Sequence, residues 1–503
     1  MTTNPTEQDA RTINSEQTLD PADVEAQLDG DKENVDDKQK LPTPNAPTTL
    51  AADDPDNPRN WSTAKRTLVT IVLCVWVLTL TYSSTCYVAS LPALMQRYNI
   101  SQEVALLGVT FFVLGFAAGP LVFGPASELY GRQMVYRISG LAYSAFSFGA
   151  AFSPNGASLL IFRFLAGFFG SASMNNIPAS IGDYTTLLNR GVYSIAYAIM
   201  AFGGPALGPL ISGFIEHDAG WQWNLRVMAI FSTVLSILVA FVPETHGPTL
   251  LKWRIEREGN TPPPLTFKKV MAVFRVALAR PVVYLFTEPV VMLVSLYLSV
   301  LYGILYGFFE AFTVVYLEIR HFQTTSYGLT YISLGLGFVV ASGLLATVGQ
   351  KQYVKSAKAA ASKGMSTPPE ARLTLTYFGA IASPISLFLF AWTAPFRHVH
   401  WIAPCIAEFL FSLSMMLVFT GFIPYLVDCY QMTAASALAA GLASRALVGS
   451  VFPLFTLQMY HGLTVQGATS LFAGIACLLA PIPFLFWHYG SAIRANSRNI
   501  GGN

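Results

Sequence analysis

Four ionisable residues stand inside long apolar runs of this sequence: Arg163 in RFLAGFFG, Glu310 in YGFFEAF, Glu408 in CIAEFLF and Arg445 in GLASRALVGS. A charge in such surroundings must face protein or trapped water, and it marks a candidate functional site. Two chemistries are open to these groups. The carboxylates of Glu310 and Glu408 can take up and release protons, and Arg163 and Arg445 can hold a positive charge in a cavity. Arg445 is expected to face that cavity or to pair across it with an acid, for which Glu408 and Glu310 are the best candidates. Glu288, next to Pro289, reads instead as a helix-start residue. Tyr82, Asn175 and Asn176, with Tyr302, Tyr306, Phe308 and Phe309 crowded around Gly303 and Gly307, are candidates for the wall of a mostly apolar cavity with a few polar anchors. Catalytic chemistry has no support. There is no cluster of metal ligands, no nucleophile with its base and no GxxxxGK[ST] phosphate loop, so neither an enzyme, a metal or cofactor site, nor an ATP-driven pump is expected.

The elements that must position these residues are membrane helices. The chain of 503 residues is 53% hydrophobic and 12% charged, about half the charged fraction usual in soluble proteins. A helix needs about 20 mostly apolar residues to cross a bilayer. Such windows occur at 67–91, 103–123, 134–153, 158–182, 192–215, 223–242, 287–316, 326–348, 372–394, 400–427, 432–457 and 464–488. The longest break divides them into two sets of six. The expected fold is therefore all-α and integral to the membrane, with twelve transmembrane helices in two pseudo-symmetric six-helix halves. The expected segments are an acidic disordered cytosolic tail (1–58), the first half (59–242), a basic cytosolic linker (243–286), the second half (287–490) and a short cytosolic tail (491–503).

Charge fixes the expected orientation. Of the 28 acidic residues 14 precede residue 57, and the remainder of the chain carries 26 basic against 14 acidic residues. That excess lies in short loops between apolar runs, which suits membrane topology and not nucleic acid. With both termini in the cytosol, most loop Lys and Arg fall on that side, including Arg254, Lys268, Lys269, Arg275 and Arg280, against Arg97, Arg320 and Arg397 opposite. The five cysteines are scattered through apolar runs and read as packing residues.

Several motifs resemble those of the major facilitators. GPASELYGRQ (124–133) is similar to that superfamily's loop signature, with Gly124, Gly131 and Arg132 matching, Glu128 in place of Asp, and Gln133 in place of a second basic residue. Arg163 and Gly167 match an Arg-x3-Gly signature that the resemblance ties to proton coupling. GPALGPLISG (204–213) resembles the fifth-span signature of antiporters through Gly204, Gly208, Pro209 and Gly213. Its glycines are expected to bring this helix close to the facing half, and its prolines to bend it. Longer stretches, among them DPDNPRNWSTAKR (53–65), VPETHGPTLLKWR (242–254) and PIPFLFWHYGSAIRANSR (481–498), look like fungal twelve-span drug:proton antiporters.

The resemblance implies a proton-coupled exporter of small organic amphiphiles such as drugs, toxins or fungal secondary metabolites, working by alternating access. Its partners would be cargo, protons and the lipid bilayer. A monomer in the plasma membrane is expected, with the vacuolar membrane as the other location. Two further readings stay open: a proton-coupled importer on the same fold, and a non-transporting sensor or scaffold whose output is the acidic tail.

Overall fold

The computed structural model describes residues 50–51, 53–186, 189–260, 266–365, 367–495 and 497. The segment expected as a disordered tail thus lies, for residues 1–49, outside the described residues, as does most of 491–503. The described chain is helical throughout. In a bilayer each backbone N–H and C=O must be satisfied within the segment, and long apolar runs meet that demand only as helices.

Among the described residues, eleven helices are long and apolar enough to cross a membrane. One of them, Phe267–Thr287, belongs to the linker. Another, Ala434–Gly490, is 57 residues long and holds two spans. They join at Thr464, where φ 62 and ψ 167 interrupt the helix. Span three, Arg132–Ala151, completes the twelve; its serines and two arginines make it the least apolar of them. Polar residues fix where helices begin. Ser62 caps span one by accepting from Lys65 N, Ser101 caps span two through Val104 N, and Asn155 closes a capping box with Ser158. Spans two and three are separated by Gly131 alone, and spans five and six by Gly220, at φ 93 and 81, which only glycine adopts without strain.

Helix pairing repeats between the halves. In the first half span one (Thr63–Thr85) packs on span five (Arg190–Ala219), two (Gln102–Tyr130) on four (Gly156–Tyr184), and three on six (Trp221–Ala240). In the second half span seven (Pro289–Ile319) packs on eleven, eight (Thr324–Ala361) on ten (Ile402–Tyr430), and nine (Thr376–Thr393) on twelve, the last through Tyr377 against Phe484 and Trp487. The halves meet where two lies against eleven and where five lies against eight. Exchanging each span with the one six places later maps this pattern onto itself, which is the two-repeat architecture of membrane carriers.

The described ends of the chain, about Asp54 and Ser497, and the linker share one face of the molecule, here the linker face; the opposite face is the distal face. The linker is more structured than its charge suggests, with helices Gly247–Arg257 and Phe267–Thr287. The second leaves Phe267, Met271, Val282 and Phe286 exposed. It roofs a cavity of about 440 Å³ between spans two and eleven, lined by Pro120, Gly124, Asn175, Lys269, Val273 and Ala439 among others. Asp54 and Asp56, from the part of the expected tail that is described, clamp Arg254 of the first linker helix at 2.6–2.7 Å. Trp61 then stacks on Tyr184 at 5.8 Å.

Candidate functional site

The fifth-span motif shows how proline and glycine can sit inside a membrane helix. Pro209 lacks an N–H, so the carbonyl of Pro205 loses its helical donor. The Thr85 hydroxyl of span one donates to that carbonyl instead, at 3.2 Å. Thr85 reaches it because Gly208 has no side chain; a β-carbon there would collide with the Thr85 hydroxyl, and one on Gly204 would collide with that of Thr81. Gly204 and Gly208 therefore pack span five on span one within the same half, not on the facing half as the sequence led us to expect. Gly213 does meet the facing half: its β-carbon would lie 3.2 Å from Thr324 O of span eight. Gly328 of span eight sits reciprocally against Pro209 O, with 3.1 Å available to a β-carbon. Backbone thus meets backbone across the distal part of the interface.

Arg163 does not snorkel to the nearby interface. It is fully buried and spends its guanidinium on the carbonyls of Gly108 (3.0 Å), Ser83 (2.7 Å) and Ser84 (3.3 Å), between the rings of Tyr87 and Phe112. The group ties spans one, two and four together, and no carboxylate pairs with it among the described residues.

The two carboxylates lie in the distal part of the second half. Glu408 is fully buried and accepts hydrogen bonds from Tyr316 Oη at 2.7 Å and from the Ser333 hydroxyl. Glu310 is buried and makes no hydrogen bond or ion pair with the described residues. It precedes a π-helical segment, Thr313–Ile319, a distortion frequent at functional sites. Hydroxyls lie around the pair: Thr313 bonds Tyr327 at 3.3 Å, Tyr327 bonds Tyr331 at 2.9 Å, and both tyrosines are within electrostatic range of Glu310 and Glu408. Tyr316, Tyr327, Tyr331 and Ser333 were not singled out in the sequence, because a hydroxyl in an apolar run has no signature of its own.

Arg445 stands apart from these acids. Its guanidinium lies 5.8 Å from the ring of Tyr302 and 5.6 Å from that of Phe419, and no acid pairs with it among the described residues. Along span seven Tyr302, Tyr306 and Phe309 form a continuous aromatic row, with centroids 5.1 and 5.6 Å apart. Tyr306 crosses to the first half through Ser84 at 3.1 Å. Phe308 is buried within the second half against Phe390 and Phe411. Tyr82 points elsewhere, packing on Met228 and Phe231 of span six. Asn175 lines the cavity at the linker face, with Gly124 leaving room for its amide. Asn176 is fully buried, and both its amide atoms lack a partner among the described residues.

At the linker face Arg132 pairs with Asp183 at 3.4 Å and donates to Ser127. Glu128 is exposed and unpaired among the described residues. The acid that caps the turn is Glu244 of the VPETHG stretch, which accepts from the backbone N–H groups of Arg132, Gln133, Thr245 and His246 at 2.9–3.1 Å. Gln133 uses its amide on Val242 O at 2.8 Å, so the position tolerates a neutral donor. The second half repeats the latch: Arg372 at the start of span nine pairs with Asp428 at the end of span ten, at 2.9 Å. Glu288 stands at the N-cap position of span seven without a side-chain capping bond, and its carboxylate accepts from Tyr430 Oη at 3.0 Å and from Ser497.

Two pseudo-symmetric six-helix halves, meeting along four spans and carrying charges buried within their apolar helices, define a secondary transporter, not an enzyme. The chain belongs to the Major Facilitator Superfamily, whose sequence profile matches residues 71–453. It is 40% identical over 462 residues to the MFS-type efflux pump MFS2 of Trichophyton rubrum, covering 89% of this chain and 76% of that one. It is 38% identical over 456 residues to the efflux pump FUB11 of Gibberella moniliformis, covering 88% and 75%. Among solved structures, the proton:xylose symporter XylE shares the fold with a TM-score of 0.61 at 14% identity, over 85% of this chain and 96% of that one.

Proposed function

We propose that this protein is a proton-coupled exporter of small organic amphiphiles, working by rocking of its two halves about a midplane site. The observation that carries the coupling is the burial of Glu310 and Glu408 in the second half, the first unpaired among the described residues and the second held by Tyr316 and Ser333. A carboxylate so placed alternates between a neutral buried form and an ionised form that needs water or a partner. Protonation from outside and release inside would then exchange for cargo moving outward. The aromatic row of Tyr302, Tyr306 and Phe309 supplies apolar surface for cargo. Similarity to proteins named as efflux pumps, at 38–40% identity over most of the chain, supports the outward direction.

The linker face is cytosolic in this reading, with both termini inside, and the protein acts as a monomer in the plasma membrane. The latches Arg132–Asp183 and Arg372–Asp428 hold the halves' cytosolic ends. Accumulation of fluorescent amphiphiles in yeast stripped of its own pumps tests the proposal. Lower accumulation with the protein than with an empty vector, lost on adding a protonophore, supports it. Raised accumulation means import, and unchanged accumulation with protein at the cell surface contradicts transport of this class.

A further inference from the structure

Arg445 differs from the other deeply placed arginine in what satisfies it. Arg163 gives three hydrogen bonds to backbone carbonyls. Arg445 gives none among the described residues, and its Nε is shut away from solvent with no acceptor. No acid among the described residues pairs with it. Both oxygens of Glu408 are taken by Tyr316 and Ser333, and neither Glu310 nor Glu408 forms an ion pair with it. Of the neighbouring hydroxyls, Tyr197 donates to Met174 O at 2.9 Å and Tyr306 shares a hydrogen bond with Ser84 at 3.1 Å, and none accepts from Arg445 among the described residues.

A cation at this depth is costly unless paired. The rings of Tyr302 and Phe419 offset part of that cost through their faces, but a ring face leaves the in-plane donors of the guanidinium empty. Five N–H groups in a planar fork match the two oxygens of a carboxylate. The surrounding walls of Tyr197, Tyr302, Tyr306 and Phe419 match an apolar body attached to it. We infer that Arg445 is the anchor for an anionic headgroup, and that the cargo is an amphiphilic organic acid bound as its carboxylate. The inference rests on the export reading for its direction, but the binding preference stands independently of it.

The experiment uses purified full-length protein in vesicles of zwitterionic lipid, with dansylaminoundecanoic acid, its methyl ester and the amine of the same skeleton as probes. Wild type is expected to bind and move the acid about tenfold better than the ester or the amine. Arg445→Gln is expected to lose that preference while the ester and amine stay within about twofold, and Arg445→Lys to keep part of it. Thermal stabilisation of wild type by each probe gives a reading independent of transport and of whether the variants fold. Equal treatment of the three probes, or preference for the amine, overturns the anion site while leaving proton-driven export standing. Stabilisation by the acid without flux fails the export reading and keeps the site. If phosphatidylglycerol in the vesicles abolishes stabilisation by the acid, the occupant is a lipid phosphate and the cargo assignment falls.

Discussion

Glu310 and Glu408 sit in the same half, yet only one of them is held by donors, and this difference should separate their mutants. Glu408→Gln keeps the shape and can still accept from Tyr316, so the protein should fold; it is expected to lose proton-driven flux about tenfold or more. Exchange of cargo down its own gradient should stay near wild type, and a parallel loss of both in vesicle assays would mark Glu408 as structural. Thr85→Val strands the Pro205 carbonyl and is expected to destabilise by about 0.6 kcal/mol, read as a slightly lower Tm. Gly208→Val overlaps Thr85 and should cost more, about 1–3 kcal/mol. At this scale the sequence made the charges legible, because four of them stand out against apolar runs. Their partners were not legible. Tyr316 and Ser333 look like any hydroxyl in a membrane helix, and spacing left open whether Arg445 faces a cavity or pairs with an acid; no such pair forms among the described residues, since pairing depends on helix rotation that spacing does not determine.

The elements at the linker face carry two groups outside the membrane whose titration reports on packing. Hydrogen bonds from Arg254, and then from the Asp56 backbone, hold the Asp54 carboxyl down at about 2. A depressed carboxylate contributes above its unfolded value and loses that contribution only as pH falls through about 2, so this clasp should not change between pH 5 and 8. Asp54→Asn is expected to speed hydrogen exchange of residues 53–62 at pH 7, and no change there would deny the clasp. His246 acts with the same sign in a higher pH window and from a different cause. Burial, and then the nearby charge of Arg132, push its pKa down from 6.5 to about 4. The unfolded chain then binds the extra proton first, so stability falls as pH drops from about 6.5 to 4. In His246→Asn that part of the Tm decline should flatten; an unaltered slope would remove His246 as its cause. The helix boundaries were legible from window length and polarity, and the loop signature located the turn. The cap that holds it was missed, because Glu244 lies far along the chain and only folding brings it to Arg132. The linker's apolar helix was hidden by the basic residues that interrupt it.

The whole molecule is a pair of repeats whose distal ends meet at Gly213 and Gly328 while a cavity of about 440 Å³ remains between spans two and eleven at the linker face. Enlarging Gly328 should wedge the distal contact. Spin labels at the exposed positions Gln96 and Gln323 are expected to move apart in Gly328→Val, and an unchanged distance would mean that this contact does not close the distal side. The two-half plan was readable from the break between two sets of six windows, whereas the assignment of Gly204 and Gly208 to span one needed the packed structure. The central claim is that proton movement through the second half drives cargo outward. The most direct test is cargo flux in vesicles holding purified protein, with an imposed pH gradient and no other energy source, for wild type and the double variant Glu310→Gln/Glu408→Gln. Uphill movement of cargo against the proton flow by wild type, collapsing in the double variant while gradient-free exchange persists, is the expected result. Uphill movement that survives loss of both carboxylates, or cargo that moves with the protons, would contradict it.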